Sequence, residues 1–226
     1  MEIHKKINTM KKIIASIFAA AMLLVGTEAF AQLVPGAGYL LSIEKSKTEK
    51  LSMDPVKLNG FYVGASYNIP IVAGLGVAPG LYADMLFYNG AATFYQVVTA
   101  TEHYTELALN LPINLNYRFE ISDNASIWAF AGPVFQVGLV ARSTYNARLD
   151  YAFIHINEGE AYNHYNSDNG DMNRFNIYAG GGLGFQVGDL LFTVGYDHNL
   201  LNIDKSSDEG WKTSRNQIKV GVNFAF

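Results

Sequence analysis

Apolar and polar residues alternate along several long stretches of the chain, most clearly over residues 107–120. There one set of alternate positions is apolar or aromatic, and the intervening set is mainly small or polar. Successive side chains of a β-strand point to opposite faces of the sheet, so this period of two predicts a strand with one apolar face. The chain ends on the same pattern, with apolar residues at Ile218, Val220, Val222, Phe224 and Phe226.

Eight segments are predicted as strands: residues 36–46, 56–69, 76–88, 103–120, 125–140, 172–187, 190–203 and 212–226. Short connections (70–75, 121–124 and 188–189) alternate with longer ones (47–55, 89–102, 141–171 and 204–211). Transmembrane barrels have tight turns on one side and long loops on the other. We therefore predict an all-β fold, an eight-stranded antiparallel up-and-down transmembrane β-barrel. The alternation slips near Pro79 and near Gly132-Pro133, where β-bulges are expected.

A soluble eight-stranded barrel similar to lipocalins is the alternative fold. It would need an apolar interior, whereas the minor faces of the predicted strands carry Asn, Gln, Arg, Lys and Gly. We therefore expect the apolar faces to contact lipid and the polar faces to fill a narrow lumen. Arg118 or Lys219 should offset the charge of Asp84 or Glu120. The expected lumen-lining residues are Asp84, Asn110, Asn114, Asn116, Arg118, Tyr178, Gln186, Arg215, Lys219 and Asn223.

The first 31 residues have the organisation of a secretory signal peptide. Four lysines between residues 5 and 12 precede an apolar run over residues 13–25. Ala29 and Ala31 then form an A-x-A cleavage site, with Gln32 as the mature N-terminus. The apolar run is shorter than the ~20 residues of a spanning helix, which disfavours an uncleaved anchor. The expected domains are thus a signal peptide at 1–31 and a barrel at 32–226.

Composition narrows the possible functions of the mature chain. The signal segment holds four of the 16 basic and two of the 20 acidic residues, so the net charge changes from −4 to −6 on cleavage. Nucleic-acid binding needs a basic surface and is therefore not expected. The absence of cysteine excludes disulfides, a lipoprotein anchor and thiolate metal sites.

The signal segment, the eight strands and the terminal Phe226 together resemble the small outer-membrane β-barrels of Gram-negative bacteria, of the porin-like, PorT-like and OmpA types. The resemblance covers the mature chain and implies a location in the cell outer membrane, surrounded by lipid. In these proteins the terminal strand is read by the barrel-assembly machinery, which implies that the apolar positions from Ile218 to Phe226 form an assembly signal. The fold also hosts adhesins, small pores, enzymes and assembly factors, so it does not define an activity.

Aromatic residues of such barrels are expected at the two membrane interfaces. Tyr117, Phe119 and Phe226 should lie at the periplasmic interface, and Tyr88 and Trp211 at the outer one. Gly-rich segments at residues 74–80 and 180–184 do not match a phosphate-binding loop, and tight strand curvature explains them.

No nucleophile, base and orienting residue are evident together in the sequence, so neither catalysis nor a cofactor or metal is expected. The segment from His103 to Glu106 comes nearest to the His-x-Ser of lipid A deacylases, but Thr105 stands where serine is needed. A polar strand end at the extracellular rim is the preferred interpretation. A lipid-modifying enzyme therefore stays an alternative that depends on analogy of fold.

The connection over residues 141–171 is the expected contact surface. It combines Tyr and Asn, which offer contact area and hydrogen bonds at low entropic cost, with His and acidic residues. Its spacing matches no EF-hand or zinc site. The expected role is non-enzymatic, structural or in surface interaction with an extracellular partner; a solvated loop without a ligand and a narrow pore for small solutes are the alternatives. The contact candidates are Tyr151, His155, Glu158, Glu160, Tyr162, His164 and Asp168.

Overall fold

A computed structural model describes residues 33–48, 51–94, 98–151, 154–166, 170–205 and 210–225, without the side chains of residues 92–98 and 149–158. Ala29, Ala31, Gln32, Asp168 and Phe226 lie outside the described residues. Within these ranges the chain forms ten antiparallel strands: β1 (Leu33–Lys47), β2 (Val56–Tyr67), β3 (Ile69–Val72), β4 (Leu75–Phe94), β5 (Val98–Ser122), β6 (Ala125–Tyr151), β7 (Ile154–Asn163), β8 (Phe175–Val187), β9 (Leu190–Asn199) and β10 (Lys212–Phe224). No described helix is long and apolar enough to cross a membrane.

Eight of these strands close into a ring in the order β1, β2, β4, β5, β6, β8, β9, β10, and β10 pairs with β1 to complete it. The short β3 continues the line of β2 along β4, and β7 extends β6 beyond the ring. The predicted eight-stranded antiparallel barrel is therefore confirmed. Closure leaves the ring itself without an exposed strand edge, which removes the aggregation hazard of the apolar terminal strand β10.

Side chains of opposite character cover the two surfaces of the ring. On β5, Leu111, Ile113 and Leu115 are 40–52% exposed on the outer surface, whereas Asn110 and Asn116 are buried inside. Strand β10 follows the same rule, and its exposed side chains belong to Ile218, Val220, Val222 and Phe224. The outer surface is thus an apolar belt, and the inner surface is largely polar.

Tight turns connect the strands at the end of the ring where β1 begins and β10 ends. Ala73 and Gly74 have φ angles of 44° and 83°, which is the left-handed pair of a two-residue hairpin turn. The turn predicted at residues 70–75 is therefore shorter than expected, because β3 occupies its first half. Gly188 has a φ of 56° in the turn between β8 and β9.

Two of the predicted long loops are mostly β-structure, so those loop assignments are wrong. Strand β4 runs on to Phe94 and β5 begins at Val98, while β6 runs on to Tyr151 and pairs with β7. Residues 89–94, 98–102, 142–151 and 154–163 together form a four-stranded sheet that rises past the apolar belt; we call it the fin. The side chains above the belt are too polar to reveal these strands by an apolar face.

The predicted bulges are misplaced. Pairing continues without a register shift through Pro79 on β4 and through Pro133 on β6. The register of β5 against β6 shifts instead where Leu139 is left without a partner. Below this bulge the even-numbered residues of β6 face inward, and above it Ala141 and Ser143 do so.

Candidate functional site: the lumen and its extracellular mouth

A charged cluster centred on Arg215 closes the outer half of the lumen. The Arg215 side chain is 1% exposed and donates to Glu44 from Nε (3.1 Å) and Nη2 (2.8 Å), and to Glu106 from Nη1 (2.7 Å). Tyr104 and Tyr165 donate their hydroxyls to the two oxygens of Glu106 at 2.6 and 3.1 Å. These five side chains from separate parts of the barrel form one hydrogen-bonded plug.

A second charged layer lies deeper in the lumen, around Lys219. Its Nζ lies 2.9 Å from Asp197 and 3.6 Å from Asp84, and it approaches the ring of Tyr62 to 6.0 Å. The predicted pairing of Lys219 with Asp84 is therefore present in the structure. In each layer one cation faces two carboxylates, so the lumen is lined by an excess of acidic groups.

A cavity of about 150 Å³ extends from the Lys219 layer toward the periplasmic end. Its wall combines amides, among them Asn110, Asn114 and Asn116, with the aromatic side chains of Trp128 and Phe130. The charged layers fill the interior above this cavity up to the extracellular mouth, as the narrow lumen of an eight-stranded barrel allows. The two charged layers thus lie between this cavity and the extracellular mouth.

The expected lumen-lining residues all lie on inward-facing positions, and one expected charge pairing is absent. Gln136 links Asn110 and Tyr178 through hydrogen bonds, and Gln186 accepts from Trp128. Arg118 lies at the periplasmic mouth, where it donates to Ser126 and stacks near Trp128, so its described contacts do not include Glu120. Glu120 is exposed. Asn223 is buried and donates to Thr193 at 3.1 Å.

At the extracellular mouth a second cavity of about 310 Å³ opens above the Arg215 cluster; we call it the vestibule. Ser143 lies on its wall, and its Oγ is 2.8 Å from His164 Nε2 and 3.1 Å from Glu102 Oε1. His164 Nδ1 is in turn 2.8 Å from Asp171 Oδ1. Partial burial raises the pKa of Tyr145, whose phenol also contacts Ser143 and Glu102, so this phenol is a neutral hydrogen-bond donor at the mouth.

The residues expected in the extracellular contact surface are divided between the fin and the vestibule. Glu160 is exposed on β7, and Tyr162 packs its ring against His164 at a centroid distance of 4.9 Å. Tyr151, His155 and Glu158 belong to the fin by their backbone, but their side chains are outside the described part of the structure.

Two tyrosines expected to lie outside the barrel point into it. Tyr165 lies in the connection over residues 141–171, which was expected to be a surface loop, but it is 4% exposed and belongs to the Arg215 cluster. Tyr88 packs against the buried apolar cluster of the lumen rather than at the outer membrane interface. Tyr117 and Phe119, in contrast, form an exposed ring pair 4.3 Å apart near the periplasmic turn of β5.

Sequence reasoning missed three residues that matter at the mouth. Glu106 occupies the polar face of β5, so the period of two alone was enough to place it in the lumen. Glu44 and Ser143 gave weaker signals, because Ser143 follows the bulge that reverses the two faces of β6. The described residues contain no group of three or more His, Asp or Glu side chains placed to hold a metal ion.

Neither a protein-family model nor a curated protein matches the chain. Among solved structures it is similar to Ail, the attachment invasion locus protein of Yersinia pestis, at 13% identity over 85% of this chain and 99% of that chain, with a TM-score of 0.37. Neisserial surface protein A shows 11% identity, 86% and 97% coverage and a TM-score of 0.39. The outer-membrane enzyme PagL shows 8% identity, 83% and 99% coverage and a TM-score of 0.36. Likeness at this level defines neither activity nor ligand.

The closed ring, the apolar belt and the polar, ion-paired interior form the arrangement that lets a β-sheet cross a lipid bilayer. The chain has the fold of the outer-membrane β-barrels. None of the three similar proteins is described as PorT-like, so that part of the resemblance stays a prediction. The roles of the terminal strand in assembly and of the signal segment in export stay predictions as well.

Proposed function

We propose that this barrel is a membrane-anchored scaffold that presents the fin to an extended segment of an extracellular protein. The observation that carries the proposal is the edge strand β7, which pairs with β6 on one side and with no other described strand. An open strand edge offers a row of unpaired backbone donors and acceptors, to which an extended peptide can add as a further strand. The partner would then gain affinity from backbone hydrogen bonds.

The composition of the fin supports a binding role on its exposed side. Its described surface carries Tyr145, Asn146 and Glu160, which border a groove between β6, β7 and the upper part of β5. Tyr and Asn provide contact area and adaptable hydrogen bonds. The closed lumen favours this role over that of a pore, since the two charged layers obstruct the interior.

A truncated fin tests the proposal without disturbing the barrel. Ala147 and Glu158 are paired across β6 and β7, so replacing residues 148–157 by an Asn-Gly turn reconnects the hairpin in register. Panning a random peptide library against the wild-type protein in nanodiscs should enrich extended, β-prone peptides. Those peptides should lose binding to the truncated protein, because four of the ten residues of the open edge strand β7 are gone.

Side-chain and backbone recognition can be separated with a matched variant. Glu160→Ala keeps the edge of β7 and removes one exposed carboxylate, so the enriched peptides should still bind it. Equal binding to the wild-type and truncated proteins, or failure of the wild type to enrich any peptide, would show that the fin is not the contact surface. A deletion that extends to Tyr165 is unsuitable, because this residue holds Glu106 in the plug.

A further inference from the structure

Three vestibule side chains form a hydrogen-bonded relay that takes no part in the lumen plugs or in the open edge of β7. The Oγ atom of Ser143 is 2.8 Å from Nε2 of His164, and Nδ1 of His164 is 2.8 Å from Oδ1 of Asp171. A hydroxyl on one ring nitrogen and a carboxylate on the other are the arrangement by which an imidazole activates a serine nucleophile. The carboxylate fixes the tautomer that leaves Nε2 free to accept a proton.

The fold holds the imidazole of His164 firmly. Its ring lies edge-on to Tyr104 and Tyr162 at 5.4 and 4.9 Å. Its backbone N–H donates to Ala141, and its carbonyl accepts from Met172. The His164 side chain is 11% exposed, so the base is shielded from water on most sides. Such packing is what a catalytic base requires in order to stay aligned with its nucleophile.

The vestibule provides space for a small substrate beside Ser143. Its volume of about 310 Å³ lies near the lower end of the usual range for ligand pockets, ~300–1,000 Å³. Apolar side chains of Val56, Leu58 and Ile203 form one part of the wall, which suits a short acyl chain. The nearby carboxylates of Glu44 and Glu102 disfavour an anionic substrate.

We propose that Ser143, His164 and Asp171 form a hydrolytic site for neutral carboxylic esters with short acyl chains. Ser143 Oγ attacks the ester carbonyl carbon, its proton passes to His164 Nε2, and the carbonyl π electrons move to oxygen. Collapse of this intermediate breaks the ester C–O bond, and His164 returns the proton to the leaving alcohol. Water then attacks the acyl-serine with His164 as base, and the carboxylic acid and Ser143 are released.

Tyr145 and Glu102 lie next to Ser143 and affect the orientation of its hydroxyl. The phenol of Tyr145 contacts both Ser143 and Glu102, so it belongs to the same hydrogen-bond network as the serine hydroxyl. Glu102 also accepts from the Ser143 hydroxyl at 3.1 Å, so proton transfer uses the rotamer in which the hydroxyl points to His164. Ser143 is 0% exposed at the vestibule wall, so attack on an ester requires the side chains around it to move.

A fluorophosphonate probe tests the nucleophile directly in the full-length protein, refolded in detergent. Mass spectrometry should locate the covalent adduct on Ser143, and hydrolysis of p-nitrophenyl butyrate should disappear in Ser143→Ala. Loss of a general base lowers such rates by roughly 10²–10⁴-fold, so His164→Gln should label at least about 100-fold more slowly. Asp171→Asn should also slow labelling, whereas Asp171→Glu should restore part of it, which a purely structural role would not predict.

Ser126→Ala is the matched control, because Ser126 lies inward on the same strand at the opposite mouth, and its bonds are to Trp128, Arg118 and Gln186. Its labelling and hydrolysis should equal those of the wild type. Heat-modifiable gel mobility confirms that each variant is folded. The proposal fails if the folded wild type takes up no probe, if the adduct lies on another serine, or if folded Ser143→Ala hydrolyses the ester at the wild-type rate.

Discussion

Arg215 shows how a single buried side chain organises the outer half of the barrel. Its three charge-assisted hydrogen bonds reach Glu44 on β1 and Glu106 on β5, so it joins distant parts of the ring. A charge in such a position is tolerated only because its partners and their hydrogen bonds replace water. Glu106 depends on it in turn, since this carboxylate is also 1% exposed.

Replacing Arg215 by methionine should therefore leave the carboxylates of Glu44 and Glu106 without their cationic partner. Removing one partner of a buried ion pair typically costs about 3–5 kcal/mol, so the free energy of unfolding should fall by that order. Urea titration of the protein in lipid vesicles, followed by tryptophan fluorescence, measures the loss. Lys212→Met is the control, because Lys212 is an exposed residue at the start of the same strand and should have little effect.

Neighbouring residues on β5 separate the lipid-facing from the lumen-facing surface. Ile113 is 40% exposed on the apolar belt, and Asn114 lines the periplasmic cavity. Arginine on the lipid face near the bilayer midplane costs about 2–4 kcal/mol, so Ile113→Arg should strongly reduce folding into vesicles. Asn114→Arg has a cavity to enter and should fold more readily. Equal folding yields on heat-modifiable gels would contradict the assignment of the two faces.

The limits of prediction from sequence are visible at individual residues. Asn110 and Val222 could be placed on their faces because a period of two continues through their strands without interruption. Ser143 could not be placed, since one unpaired residue at Leu139 reverses inside and outside beyond it. Tyr165 could not be placed in the lumen from sequence, because its hydrogen bond to Glu106 joins residues far apart in the chain and no local pattern encodes such a contact.

At the scale of elements, the turn between β3 and β4 stores a small amount of strain. Ala73 adopts a φ of 44°, where an L-residue with a Cβ atom meets the following carbonyl. Ala73→Asn should raise the free energy of unfolding by about 1 kcal/mol, because Asn tolerates this conformation and Asn-Gly favours the two-residue hairpin. The same urea titration in lipid vesicles detects the change.

Gly188 offers the opposite test in the turn between β8 and β9. Its φ is 56°, and a Cβ atom added there would meet no other atom within 4 Å. Gly188→Ala should therefore lower the free energy of unfolding by about 1 kcal/mol through backbone strain alone. Stabilisation by this substitution, or destabilisation by Ala73→Asn, would show that the backbone angles do not limit these turns.

For the molecule as a whole, the two charged layers decide whether the barrel conducts. The Arg215 and Lys219 clusters lie one above the other, and the cavity below them is about 150 Å³. An ion that crosses the lumen would have to displace both clusters and their hydrogen bonds. The barrel is therefore obstructed by two layers of charged side chains and contains a small internal cavity.

Purified wild-type monomer should accordingly show no large, stable single-channel conductance in planar bilayers. The double variant Arg215→Ser/Glu106→Ser removes the cation together with its more buried carboxylate partner. The outer charged layer then loses its hydrogen bonds, and no fully buried charge is left without a partner. This variant should show small, brief openings that favour cations, because acidic groups outnumber basic ones along the lumen. A wild-type channel as conductive as the double variant would contradict the plugged lumen.

The bulge at Leu139 separates the membrane-spanning part of β6 from its extension into the fin, and the alternation of inward and outward side chains reverses there. Below it, residue parity along β6 is set by lipid on one side and the lumen on the other. Above the bulge, the odd-numbered residues of the same strand face inward instead, so the inward-facing positions of the fin are independent of those in the membrane-spanning half. Peptide epitopes grafted into the fin can therefore be lengthened or shortened by two residues at a time without altering the membrane-spanning half. Inserting or deleting a single residue at position 139, in contrast, would exchange the inward and outward faces of β6 beyond that position.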